Sequence, residues 1–154
     1  MIEKYIAYYK SKIGRIKIVS SKGMIVFVEF AKKNKRKSAE PYILKKCIKQ
    51  VDEYFKGKRK NFSIDLQLEG TAFQKGVWRQ LAKIPFGRTV SYKDIAAAIG
   101  NKNAVRAVAN AIGKNKISII IPCHRVIGSN GKPTGYGGGI WRKEWLLRHE
   151  KPYN

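Results

Sequence analysis

The sequence predicts an α+β protein in two parts: a small antiparallel sheet with a helix over residues 1–68, then a winged helix-turn-helix unit over residues 69–154. Three observations predict it. Apolar residues alternate along 14–19 and recur along 24–28, the period of half-buried strands. From Pro41 the spacing becomes helical. Beyond Gly70 the chain becomes a series of short segments, opened by Thr, Ser or Asn and closed by Gly or Pro, as short capped helices are.

The first two strands turn at Ser21-Lys22-Gly23 and form a hairpin. After the basic run Lys32-Lys33-Asn34-Lys35-Arg36-Lys37, read as a solvated loop, Leu44, Cys47, Ile48, Val51, Tyr54 and Phe55 lie on one helical face. Gly57 stands where a C-terminal cap belongs. Cys47 falls on the apolar face, which points to packing. Phe62, Ile64, Leu66 and Leu68 alternate as a further strand.

In the second part Thr71 caps a helix carrying Phe73, Val77, Trp78 and Leu81, and Pro85-Phe86-Gly87 follows as a break. Ser91 caps a helix over 92–99 closed by Gly100, and Asn103 caps one over 104–112 closed by Gly113. These two helices have helix-turn-helix proportions. The second is rich in small residues, with Arg106 its only cation; small residues suit close approach to a duplex or tight helix packing equally. Residues 117–121 read as buried chain, Ser129-Asn130-Gly131-Lys132 as a turn whose hairpin would make a wing, and Tyr136-Gly137-Gly138-Gly139 as a flexible loop. The last helix, 140–149, sets Trp141, Trp145, Leu146 and Leu147 as a packing face.

Charge narrows the function. Lys and Arg number 33 against 10 Asp and Glu, a net +23, spread over both parts. Such a field favours a polyanion, DNA or RNA first, although Lys-rich surfaces also arise as solubility or heat adaptations. No apolar run approaches a membrane span, and the N-terminus lacks the apolar core of a signal peptide, so a soluble cytoplasmic protein is expected. Two cysteines, Cys47 and Cys123, make neither a disulfide framework nor a metal-ligand pattern; no metal and no cofactor is expected.

The chemistry concentrates at Ile121-Pro122-Cys123-His124-Arg125-Val126. Thiols react as thiolates and need a base or cation nearby. His124 can be that base, Glu150 can orient it, and Pro122 restricts how the chain delivers Cys123. A buried structural cysteine is the plainer alternative for such a hexapeptide taken alone.

With Phe73-Gln74, Val77-Trp78, Phe86-Gly87, Ser91-Tyr92, Arg106-Ala107-Val108, Asn115, Tyr136 and Lys143-Glu144-Trp145-Leu146-Leu147-x-His149-Glu150, that hexapeptide resembles the O6-alkylguanine-DNA alkyltransferase family in order and spacing. The resemblance implies a ribonuclease H-like first domain and an alkyltransferase domain after it. It implies a single-turnover suicide repair of O6-methylguanine, with O4-methylthymine a second candidate, in which Cys123 keeps the alkyl group. His124 through a water, and Glu150, would deprotonate the thiol; side chains of adjacent residues in extended chain point to opposite sides, which suits a relay. Tyr92 would donate to the departing guanine and Lys143 would favour the thiolate. Tyr136 would wall the pocket, Val126 and Cys123 backbone would read the base edge, and Asn115 would tie the recognition helix to the active-site strand. Arg106 would fill the space left by the flipped nucleotide, while Asn101, Ser129 and Gly137 would complete the contacts to DNA or substrate. The partner implied is double-stranded DNA, held in the minor groove without sequence preference by a monomer.

Two positions depart from better-known members. Gly137 stands where Ser is frequent, leaving contact to O6 to backbone N–H, and Ser118 stands where Pro occurs. With Cys47 alone and no His in the first part, the N-terminal zinc site or disulfide of some members is impossible. Competing functions are a non-catalytic lesion-binding relative, against which Cys123 argues, a winged-helix regulator, and a cysteine hydrolase built on Cys123, His124 and Glu150.

Overall fold

The structure is a computed structural model and describes residues 3–32 and 38–151; all but Lys32 of the expected basic loop lies outside them. The chain divides into two compact units, Met1–Glu69 and Gly70–Asn154.

The first unit is a three-stranded antiparallel sheet, β1 (Lys4–Ser11), β2 (Gly14–Ser21) and β3 (Met24–Phe30) in that order, covered by helix α1 (Tyr42–Phe55). Lys22 and Gly23 between β2 and β3 both have positive φ, 54° and 76°, as a tight hairpin turn requires. The alternation expected for β2 buries Ile16 and Ile18, which meet Ile25 and Val28 of β3 and Leu44, Cys47, Val51 and Tyr54 of α1 in the core. The strand expected over 62–68 is reduced to one parallel bridge between Leu66 and Ile25. Asp65 O and Gln67 N still bond Ile25 N and O, both at 2.9 Å, but Ser63 is drawn instead to α1, where the buried Gln50 amide bonds its N–H and carbonyl.

The second unit opens with α2 (Ala72–Ala82), followed by β4 (Val90–Ser91), α3 (Tyr92–Ala98), α4 (Val105–Gly113), a 3-10 turn at Cys123–Arg125, β5 (Val126–Ile127) and α5 (Ile140–Glu150). Reciprocal capping boxes, Thr71 with Gln74 and Ser91 with Asp94, start α2 and α3. Both helices pack on α4, whose buried residues are Val108, Ala111 and Ile112, and Trp78 Nε1 donates to Ala111 O at 2.8 Å.

The structure differs from the sequence expectation at three places. Asn103 does not cap α4: Ala104 holds that position without a side-chain bond, and Asn103 N–H instead donates to Asn101 Oδ1 at 3.2 Å. The wing is no hairpin. β5 pairs in parallel with β4, and the segment that would return as a strand contains Pro133, which has no N–H, while Lys143 takes the carbonyls of Thr134 and Gly135. In α5 the buried face is Lys143, Leu146 and Glu150; Trp141 is 56% exposed and Trp145 stacks on the His149 ring.

Candidate active site

The run 117–121 is buried as its composition suggests, but it is a tight turn rather than an extended strand. Ile121 N–H donates to Ile117 O at 3.0 Å and Ile119 sits at φ 72°, a left-handed conformation costly for a β-branched residue. Asn115, 6% exposed, pays for much of it: its Nδ2 donates to Ile121 O at 2.9 Å and its Oδ1 accepts from Ile117 N at 3.0 Å. Asn115 follows the C-cap residue Lys114 of α4, and its N–H donates to Ile112 O at 3.1 Å, so the end of that helix is tied to the turn that delivers Cys123.

Cys123 begins the 3-10 turn and is nearly buried, at 7% exposure. Extended geometry at this point is therefore not what separates Cys123 from His124; in a 3-10 turn successive side chains diverge by about a third of a turn. His124 is wholly buried, and its Nε2 lies 2.6 Å from Glu150 Oε2. An ionised carboxylate only accepts, so the Nε2 proton is donated to Glu150 and Nδ1 keeps its lone pair. That Nδ1 is buried and bonds no protein group.

Glu150 serves a second buried group. Arg125 Nε and Nη2 donate to its two oxygens at 2.7 and 3.1 Å, and Nη1 donates to Ile84 O at 2.6 Å. Burial pushes the Glu150 carboxyl up, but the hydrogen bond from His124 and the bonds and charge of Arg125 outweigh it and hold the group at about 2. Burial also pushes His124 down, more than Glu150 raises it, which favours the neutral ring with an unprotonated Nδ1.

Lys143, 1% exposed, is the other buried cation. Desolvation lowers it to about 8, against the opposing pull of the Cys123 thiolate. Its Nζ donates to Thr134 O at 2.6 Å and Gly135 O at 3.2 Å. Thr134 Oγ1 in turn lies 3.1 Å from Tyr92 OH, linking the first residue of α3 to the same network. Lys143, Leu146 and Glu150 recur at helical spacing, so one face of α5 supplies both the cation beside Cys123 and the carboxylate beside His124.

The remaining expected residues divide. Val126 is fully buried in β5, and Tyr136 is half-buried in the loop ahead of Gly137. Arg106 is exposed on α4, Asn101 in the turn before that helix, and Ser129 in the loop after β5; none joins the buried network. Among the described residues no group of three or more His, Cys, Asp or Glu could hold a metal ion.

The family model for the 6-O-methylguanine DNA methyltransferase DNA-binding domain matches residues 72–152, and that for its ribonuclease-like domain matches residues 4–68. The chain belongs to the 6-O-methylguanine DNA methyltransferase family. It is 43% identical to the methylated-DNA–protein-cysteine methyltransferase of Methanosarcina acetivorans, covering 95% of this chain and 97% of that one. It is 41% identical to that of Haemophilus influenzae, covering 99% and 90%. The structure of Mycobacterium tuberculosis OGT in complex with DNA superposes with a TM-score of 0.86 at 42% identity, covering 94% and 91%. The fold class expected from the sequence, a mixed α+β chain with a ribonuclease-like first domain and a DNA-binding second one, is that of the family.

Sequence reasoning within this family missed the part played by Arg125. A signal was present: residues 71–154 hold only three acids, Asp94, Glu144 and Glu150. Asp94 is spoken for by the capping box, and Glu150 is the only one of the three with a helical-period partner in the core. A basic residue beside the Cys123–His124 pair therefore had one natural counter-ion. Among the described residues no helix is long and apolar enough to cross a membrane.

Proposed function

We propose that this chain repairs O6-alkylguanine in duplex DNA by moving the alkyl group to Cys123, once per molecule. The observation that carries the reading is the buried His124–Glu150–Arg125 cluster, which leaves a neutral imidazole Nδ1 without a protein partner on the residue next to Cys123, whose thiol is coupled to the Lys143 charge. His124 Nδ1 accepts the Cys123 proton through a bridging water, Glu150 steadies the imidazolium, and Lys143 stabilises the thiolate. The sulfur then attacks the alkyl carbon. A C–S bond forms as the C–O6 bond breaks, and its electron pair leaves on guanine, to which Tyr92 donates its proton. The thioether is stable, and no group in the site can hydrolyse it. Repetition is what separates this reading from a cysteine hydrolase, which would regenerate its thiol.

The +23 charge supports duplex DNA as the partner, and the relative whose structure contains DNA supports it independently. The small exposed residues Ala107 and Ala109 beside Arg106 suit close approach of α4 to the minor groove. O6 lies within the base stack, so the nucleotide must rotate out at a cost of about a few kcal/mol. Arg106 fills the vacated place. Asn101 and Ser129, exposed on the flanking turns, contact the backbone, and Val126 and Gly137 offer backbone groups to the base. The chain acts as a monomer without sequence preference.

Intact mass after incubation with excess O6-methylguanine duplex tests the reading. One added methyl per protein is expected, located on Cys123 by peptide mapping. An unchanged mass with retained DNA binding would leave only a lesion-binding module, and product beyond one equivalent would point to a turnover enzyme. Arg106→Ala is expected to slow repair of duplex by about tenfold or more, since extrusion costs a few kcal/mol, while leaving reaction with free O6-alkylguanine base nearly unchanged. Equal losses on both substrates would remove Arg106 from base extrusion.

A further inference from the structure

The segment 134–139 that carries Tyr136 and Gly137 has four glycines in six residues and no regular structure of its own. Lys143 fastens one end through the carbonyls of Thr134 and Gly135. At the other end Gly139 O accepts from the backbone N–H groups of Arg142 and Lys143 at 3.1 and 3.3 Å and Gly139 N–H donates to Tyr136 O at 2.9 Å, and two side chains add to that hold. Arg142 Nη1 donates to Gly138 O at 3.0 Å, and its guanidinium lies 4.6 Å from the centre of the Trp141 ring. The indole lies against Gly139, where a Cβ would come within 3.3 Å of Trp141 Cδ1 and 3.4 Å of Nε1.

Ordinary helix building does not account for this arrangement. Neighbouring residues on a helix do not face one another, so Arg142 must fold back across the start of α5 to reach both the ring and Gly138. A cation in the first turn opposes the helix dipole, and this first turn has no acidic residue to compensate. Nor is Trp141 there for the core, since it is 56% exposed.

We propose that Trp141 and Arg142 form a clamp on the glycine loop, positioning Tyr136 and Gly137 and thereby setting how large an O6 substituent the site accepts. The specificity part rests on the proposed alkyl transfer; the clamp itself does not. A methyl group leaves the loop where the clamp holds it. A benzyl group needs the wall to move outward, and each clamping contact resists that movement. Both residues are positioning residues, acting through the loop.

The test uses Trp141→Ala, Arg142→Met and, as the conservative variant, Trp141→Phe in the full chain. Amide hydrogen exchange of the peptide spanning 136–139 in the free protein is expected to rise about fivefold in the first two variants, the worth of one cation–π contact or one hydrogen bond, with exchange in α2 unchanged. The ratio of rates with O6-benzyl and O6-methyl guanine is expected to rise about fivefold by the same measure, methyl transfer itself staying within about twofold of wild type. Trp141→Phe keeps a ring under the guanidinium and restores both readouts. Unchanged loop exchange in both disrupting variants overturns the clamp, and so does exchange that rises equally in α2. Raised loop exchange with an unchanged benzyl-to-methyl ratio overturns the specificity role. Wild-type protein that gains no mass from either substrate overturns the alkyl-transfer reading instead, with the exchange measurement still deciding the clamp.

Discussion

Cys123→Ser is expected to gain no mass from O6-methylguanine duplex while binding that duplex as tightly as wild type does. A serine hydroxyl is far less acidic than a thiol, and neither the neutral His124 nor the Lys143 charge can bring it to an anion near neutral pH. The substitution is nearly isosteric, so the 3-10 turn and the Asn115 bonds that hold it remain. Cys47→Ser should show the reverse pattern. Cys47 is fully buried in the first unit, and burial pushes its thiol up to about 12, which leaves it without thiolate at working pH. Placing a hydroxyl there costs about 1–3 kcal/mol if it finds no partner, visible as a lower melting temperature, with one methyl still taken up per protein. Loss of transfer in a folded Cys47→Ser protein would mean that the reactive thiol has been misassigned.

Features fixed by neighbours in sequence were legible before the structure. The capping boxes at Thr71 and Ser91 are read from residues three apart, and the β2–β3 turn from one Lys-Gly pair. Features fixed by competition between distant groups were not. Strand β1 buries only Ala7 fully and shows no alternation to read. Residues 62–68 alternate well, yet Gln50 claims the backbone of Ser63, and the strand shrinks to a bridge. In α5 hydropathy pointed to Trp141, whereas the face turned inward carries a lysine and a glutamate. Burying Lys143 and Glu150 is unfavourable by composition alone and makes sense only once Cys123, His124 and Arg125 surround them. The family resemblance singled out Lys143 and Glu150 as site residues; the route by which each is paired, through loop carbonyls for one and Arg125 for the other, required coordinates.

Glu150→Gln should do more damage to stability than any other single isosteric change in the site. Glu150 is 2% exposed and accepts three bonds, one from His124 and two from Arg125. A glutamine amide replaces one accepting oxygen by a donor, so a donor faces a donor whichever way the amide is turned. Arg125, 6% exposed, is left without its counter-ion. Breaking a buried pair from one side costs about 3–5 kcal/mol, or about 6–20 °C in melting temperature for a chain of this size. The acid limb gives an independent reading. The wild-type carboxyl sits at about 2, below its ordinary 4.5, so the stability it contributes is fully present above pH 4.5 and is lost as pH falls toward about 2. That contribution is about 3 kcal/mol. The variant has no carboxyl to titrate, and its stability between those limits should depend less steeply on pH. His124 can meet the glutamine by accepting at Nε2, but only by moving its proton to Nδ1, which removes the lone pair proposed to take the thiol proton. Alkyl transfer should therefore slow even at temperatures where the variant is fully folded. A variant that melts within about 2 °C of wild type and keeps the same acid limb would show that Glu150 is not the buried counter-ion of this site.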